Sequence, residues 1–223
     1  MLGRLKFNID MHINKILDQL PSEVWSNPTS TFLDPAMGGG QFAQAVEQRL
    51  RAEGHSTDNI ASRVFGYESN PLRIKFAVNK YKLTGTYKQN NFLEERLDMK
   101  NMIVVGNPPY NDGSKGRTPI YDKFLKKLVD GNTEKVIFII PTNWFSQPNS
   151  KLGKDVREFL KSLGLYKIQM NTIDLFKTVT VSTCTVFCKK GYNGSIELYN
   201  TDSSKSFKIE NFYDQILPEF DNV

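Results

Sequence analysis

Cysteine and histidine are scarce in this 223-residue chain, with two of each. Cys184 and Cys188 lie four residues apart in Thr-Cys-Thr-Val-Phe-Cys. On a strand that spacing separates their Cα atoms by about 13 Å, beyond the ~7 Å limit of a disulfide. His12 and His55 add no metal-ligand spacing, so the sequence predicts reduced thiols and no metal. Long apolar runs are also missing. The stretch at 136–140 falls far short of the ~20 residues that span a bilayer, and Met1-Leu2-Gly3-Arg4 leads into polar sequence rather than an apolar signal core. These absences read as a soluble, cytoplasmic protein without a membrane partner.

Acid is in mild deficit: 29 Lys and Arg against 24 Asp and Glu give a net charge of +5 and a pI near 9.0. That balance is compatible with a polyanionic partner and does not require one. With 39% hydrophobic and 24% charged residues, the chain can bury a core and is not a disordered polymer. Its length predicts one large domain, or one with a small appendage.

Ile13, Ile16, Leu17 and Leu20 recur at the spacing of an amphipathic helix, which Pro21 stops. The same period returns at Tyr121, Phe124, Leu125, Leu128 and Val129, and at Leu152, Val156, Phe159, Leu160 and Leu163, where Gly164 ends it. Between these helices lie β-rich runs at 31–33, 63–67, 86–89, 102–105, 136–140, 165–170 and 181–188, with shorter ones at 196–199 and 207–209. Strands alternating with helices predict a parallel α/β sheet whose ligands bind at the carboxyl ends of the strands. The pattern changes after Lys190, which sets an expected main domain at 1–190 and a short C-terminal appendage at 191–223.

Three motifs follow strands directly. The first, Asp34-Pro35-Ala36-Met37-Gly38-Gly39-Gly40-Gln41-Phe42, joins a strand to a helix. Its glycines permit a tight turn and close approach to a ligand, and free N–H groups at a helix start favour an anionic group. Taken alone, its alternative reading is a plain strand-to-helix turn. It lacks the Gly-Lys-Ser/Thr of a phosphate-binding loop and the full dinucleotide fingerprint. The second motif ends a strand in Glu68, a carboxylate able to accept both hydroxyls of a ribose. The third, Gly106-Asn107-Pro108-Pro109-Tyr110, removes two backbone donors and holds Asn107 extended. The Asn107 amide and the adjoining carbonyls then present acceptors to a planar NH2 group, beside an aromatic face.

In this order the motifs resemble the gamma-class adenine-N6 DNA methyltransferases of restriction-modification systems, the Asn-Pro-Pro-Tyr family. The blocks at 119–128, 136–145 and 174–189 look like later parts of the same family, so the resemblance covers about residues 10–190. It implies a Rossmann-like S-adenosylmethionine-dependent fold: a mostly parallel seven-stranded sheet with helices on both faces. It also implies S-adenosylmethionine as cofactor. Gly38 and Gly40 would wrap its methionine end, with Asp34, Pro35, Ala36 and Phe42 shaping that loop. Glu68 would hold the ribose and Phe92 would pack on the adenine ring. Asn91 stands where the family usually has Asp, and its carbonyl can still accept from the adenine amino group. Asn107, Pro108, Pro109 and Tyr110 would form the catalytic motif, with Asn107 also beside the cofactor.

A target adenine would leave the DNA stack and need aromatic faces in its place, which the resemblance assigns to Tyr110 and Phe176. Lys115, Arg117 and Lys177 would meet phosphates, although scattered basic residues are also ordinary surface. Family members carry a separate recognition domain. Only 33 residues follow Lys190, so target reading would fall to the loops 111–118 and 144–154, to a separate specificity subunit, or to a recognition domain beyond this sequence. Two rival readings use the same motifs: methylation of ribosomal RNA or of a release-factor glutamine, and a catalytically silent cofactor-binding subunit.

Overall fold

A computed structural model describes residues 2–171, 181–201, 203–210 and 212. The chain divides into two compact units, Met1–Asn107 and Pro108–Val223.

The first unit runs α1 (Leu2–Leu17), α2 (Ser22–Ser26), β1 (Thr31–Asp34), α3 (Gln41–Ala52), α4 (Thr57–Arg63), β2 (Val64–Glu68), α5 (Pro71–Tyr81), β3 (Thr86–Gln89) and β4 (Met102–Gly106). The four strands are parallel in the order β3-β2-β1-β4. Ile13, Ile16, Leu17 and Leu20 are all buried, as their spacing predicted. Trp25 stacks on Phe32 of β1 with ring centres 5.2 Å apart and planes 8° from parallel, and the Arg49 guanidinium lies over the indole at 5.2 Å from its ring centre. Capping residues set several helix starts. The Ser56 hydroxyl accepts the Asn59 N–H at 3.2 Å for α4. The Asn70 side-chain Oδ1 accepts the Leu72 N–H at 2.9 Å for α5, with Pro71 at the first helical position.

Glu47 of α3 is completely buried. Its carboxylate accepts the N–H groups of Thr84 (2.9 Å) and Gly85 (2.7 Å), the Thr84 hydroxyl (3.1 Å), the Tyr87 hydroxyl (2.6 Å) and an Arg51 N–H (2.5 Å). Five donors replace water around this charge, which makes its burial tolerable. The turn that delivers β3 to the sheet is thereby tied to α3.

The second unit runs α6 (Tyr121–Asp130), β5 (Lys135–Pro141), α7 (Asn143–Ser146), α8 (Lys151–Ser162), β6 (Leu165–Met170), β7 (Thr183–Lys189), β8 (Ile196–Asn200) and β9 (Lys205–Ile209). Its strand order is β5-β7-β6-β8-β9. Strand β7 pairs antiparallel with both β5 and β6, β6 and β8 are parallel, and β8 and β9 are antiparallel. Residues 136–141 of β5 are buried without interruption, the signature of a strand covered on both faces. Trp144 stacks on Phe145 at 3.8 Å, and Phe212 meets both rings edge-on. Cys184 and Cys188 lie on β7 as buried free thiols, and burial pushes the Cys184 thiol up to about 12.

The strand count corrects the seven-stranded expectation: nine strands occur among the described residues. The two additional strands come from the segment expected as an appendage. β8 pairs along the free edge of β6 from Lys167↔Glu197 to Met170↔Asn200, and β9 folds back on β8. An unpaired strand edge invites such extension because its backbone donors and acceptors otherwise rely on water.

Candidate active site

The parallel strands of the first unit bring four sequence-predicted features to their carboxyl ends. Asp34 closes β1, Glu68 closes β2, Asn91 follows β3 and Asn107 follows β4. Asp34 is buried, and its Oδ1 accepts the Ala36 N–H at 3.2 Å. Burial raises its carboxyl to about 7, with the nearby Glu68 charge adding to the rise. Gly106 makes room for it, since a Cβ there would lie 2.9 Å from Asp34 Oδ1.

The glycine loop is fastened to β2 at two points. The Met37 N–H donates to the Tyr67 carbonyl at 2.9 Å, and the Gly38 N–H donates to Glu68 Oε2 at 3.0 Å. Glu68 Oε1 accepts the Asn70 N–H at 2.9 Å. The two key glycines serve different ends. Gly38 (φ +52°) has open space where a side chain would project, the nearest atom being the Ala36 carbonyl oxygen at 3.9 Å. Gly40 (φ +81°) would drive a Cβ to within 2.7 Å of the Ala77 Cβ, so it is the packing contact between the start of α3 and α5. Pro35 and Phe42 are buried, and Ala36 is half-buried.

Asn91 is exposed and serves its own backbone. Its Oδ1 accepts the Leu93 N–H at 3.1 Å and its Nδ2 donates to Glu94 at 2.8 Å, opening the 3-10 turn Phe92–Glu94. Phe92 is buried and tilts against Tyr67 at 5.8 Å. Asn107 is half-buried. Its side-chain oxygen is buried and has no hydrogen-bond partner among the described residues.

In the second unit Pro108 is buried, Pro109 exposed and Tyr110 half-buried. The Tyr110 carbonyl accepts the Ile120 N–H at 3.2 Å. The Gly/Ser-rich segment beyond it closes on itself through an Asn111↔Pro119 bridge, leaving Lys115 and Arg117 exposed. Phe176 and Lys177 lie outside the described residues. One feature that sequence reasoning missed is Asn143: the buried Tyr121 hydroxyl donates to its Oδ1 at 2.6 Å, fixing the amide at the carboxyl end of β5. The signal was its place directly after the strand in Pro-Thr-Asn-Trp. Among the described residues no group of three His, Cys, Asp or Glu side chains is placed to hold a metal, and no helix is long and apolar enough to cross a membrane.

The glycine loop after the first strand and the acid ending the second sit on the α/β framework of class I S-adenosylmethionine-dependent methyltransferases. The fold is similar to a protein of that class from Listeria monocytogenes (TM-score 0.64, 17% identity, covering 86% of this chain and 64% of that one). It is also similar to the modification subunit of a type I restriction enzyme from Vibrio vulnificus YJ016 (TM-score 0.64, 18% identity, 86% and 46%) and to the EcoKI M protein (TM-score 0.63, 18% identity, 82% and 49%). The chain thus spans about half the length of these two type I subunits. In sequence, residues 44–177 match the Eco57I restriction-modification methylase family, and the chain belongs to that family. No curated protein matches the sequence.

Proposed function

We propose that this chain uses S-adenosylmethionine to methylate the N6 amino group of adenine in DNA, with the base turned out of the duplex to meet the 107–110 motif. The observation that carries the proposal is the buried, partnerless Oδ1 of Asn107. Leaving a buried acceptor unsatisfied costs about 1–3 kcal/mol, which an incoming N–H donor recovers. The two prolines that follow contribute carbonyls and no competing N–H.

An adenine amine is a weak nucleophile because its lone pair is delocalised into the ring. Donation of its two N–H groups to Asn107 Oδ1 and to the Pro108 carbonyl would favour a more tetrahedral nitrogen and aim its lone pair. The cofactor supplies an electrophilic methyl group on a sulfonium. Held this way, N6 would face the methyl in line, the N6–CH3 bond would form as the S–CH3 bond breaks, and the N6 proton would leave to water after transfer has begun, so no strong base is required.

The first unit fits this cofactor. The space beside Gly38 admits a ligand against the loop, and the buried Asp34 carboxyl orients that loop through the Ala36 N–H. Glu68 Oε2 retains a lone pair for a ribose hydroxyl after its contact with the Gly38 N–H, while Oε1 accepts both the Asn70 N–H and, at 3.4 Å, the Ser69 hydroxyl, which a second ribose hydroxyl would replace. Asn91 and Phe92 would border the adenine ring. Tyr110, with Phe176, would stack on the flipped base, and Lys115 and Arg117 would meet phosphates. Target reading falls to a separate specificity subunit or recognition domain, and the protein works in the cytoplasm.

The test is transfer of labelled methyl from S-adenosylmethionine to unmethylated duplex DNA, with ribosomal RNA and a release factor as competing acceptors and Asn107→Ala as control. N6-methyladenine in DNA, lost in the variant while cofactor binding persists, is the expected result. Label on RNA or protein instead would reassign the substrate.

A further inference from the structure

Helix α5 buries one residue fully, Ala77, while Leu72 is 74% and Phe76 is 55% exposed. Spaced four apart, the two make an apolar stripe on the outer side of the helix. Beside it, Ile74 and Val78 of α5 and Tyr87 of β3 line a shallow groove. Strand β3 is the terminal strand of the first unit's sheet, so helix stripe and groove lie at that sheet's edge.

Through residues 69–93, which include α5 and β3, the charge is of one sign. Arg73, Lys75, Lys80, Lys82 and Lys88 are all exposed, and no Asp or Glu occurs between residues 69 and 93. None of the five pairs with a carboxylate among the described residues. Residues 69–93 thus carry five of the chain's 29 cations and none of its 24 acids. The Lys80 ammonium sits 4.7 Å from the ring centres of both Phe76 and Tyr81, holding charge directly beside the apolar stripe.

We propose that α5 and the β3 edge form a docking surface for a separate protein, through a segment whose apolar side chains are flanked by carboxylates. Apolar residues at the centre and a single-sign charged rim are the arrangement that gives both affinity and orientation at a protein interface. A nucleic acid would use the cations but leaves Leu72 unexplained, since an aliphatic side chain offers no stacking face and one face of Phe76 is already covered by Lys80.

Three fluorescent probes test this on the full chain by anisotropy: a helix-forming peptide with a Leu/Phe stripe flanked by Glu, the same stripe flanked by Lys, and a single-stranded DNA oligonucleotide. Wild-type protein is expected to bind the Glu-flanked peptide, more weakly as salt rises. Affinity should fall about tenfold or more in Leu72→Ser/Phe76→Ser and in Lys75→Glu/Lys80→Glu, with circular dichroism showing both variants folded. The exposure of all four side chains makes folding failure a poor explanation of such losses. Equal binding of the Lys-flanked peptide, undiminished binding in folded variants, or no binding of the Glu-flanked peptide up to about 1 mM would overturn the proposal. Oligonucleotide binding that disappears in Lys75→Glu/Lys80→Glu while the peptide fails to bind would assign the surface to nucleic acid instead.

Discussion

Glu68 holds Gly38: its Oε2 accepts the Gly38 N–H at 3.0 Å, across thirty residues of sequence. The acid assigned to the ribose therefore also fixes the glycine loop before any ligand arrives. Such pre-organisation removes part of the ordering cost of binding. An amide at position 68 has only one acceptor oxygen for what the carboxylate does with two. Glu68→Gln should weaken S-adenosylmethionine binding about tenfold, or roughly 1.4 kcal/mol, by calorimetry. Wild-type affinity would show that neither the loop contact nor the ribose contact needs the second oxygen.

Asp34 should make folding stability depend on pH in the direction opposite to a salt-bridged acid. The unfolded aspartate ionises near 3.8 and the buried one at about 7, so between those values the unfolded chain releases its proton first. Stability then falls as pH rises from about 4 to about 7 and is level above, over a range of at most about 4 kcal/mol. Asp34→Asn keeps an acceptor for the Ala36 N–H and removes the titration. Urea unfolding at several pH values should show this component of the slope in wild type and its loss in the variant; identical profiles would count against a raised Asp34.

Gly40→Ala combines a φ of +81° with a Cβ 2.7 Å from that of Ala77. The left-handed backbone costs about 1–2 kcal/mol and the overpacking about 1–3 more. A lower Tm is expected. Gly38→Ala has the backbone penalty without the clash, so it should destabilise less; the reverse order in paired melts would contradict the division of labour between these glycines.

Glu47→Ala strands the Thr84 and Gly85 N–H groups and the Tyr87 hydroxyl, and should cost about 3–5 kcal/mol. Hydrogen exchange at Thr84 and Gly85 should accelerate in the variant. Unchanged exchange with unchanged stability would mean that water replaces the carboxylate there.

The strands were legible because each is short, carries β-branched or aromatic residues and is closed by a turn or helix signal; the runs at 86–89 and 165–170 coincide with β3 and β6. The helices α6 and α8 were legible from their stripes, and Gly164 (φ +76°) does end the turn after α8. Helix α5 was not. Its Leu72, Ile74, Phe76 and Val78 alternate with the period of a strand, and the helix is set instead by the Asn70 cap and Pro71. In the candidate site, chain order placed Asp34, Glu68 and Asn107 at strand ends. What spacing could not supply was the pairing of side chains remote in sequence. Glu47 looks like a surface residue until partners 37 to 40 positions away enclose it, and nothing in the sequence signals that the Asn91 amide also caps its own turn.

The two tryptophans fall one to each unit, Trp25 in the first and Trp144 in the second, both buried in aromatic stacks. The chain therefore carries its own pair of fluorescent reporters. Excited beyond the tyrosine band, Trp25→Phe leaves only the second unit's tryptophan emitting and Trp144→Phe only the first's, so tryptophan emission can tell whether the two halves melt together or in succession, without a dye or a label.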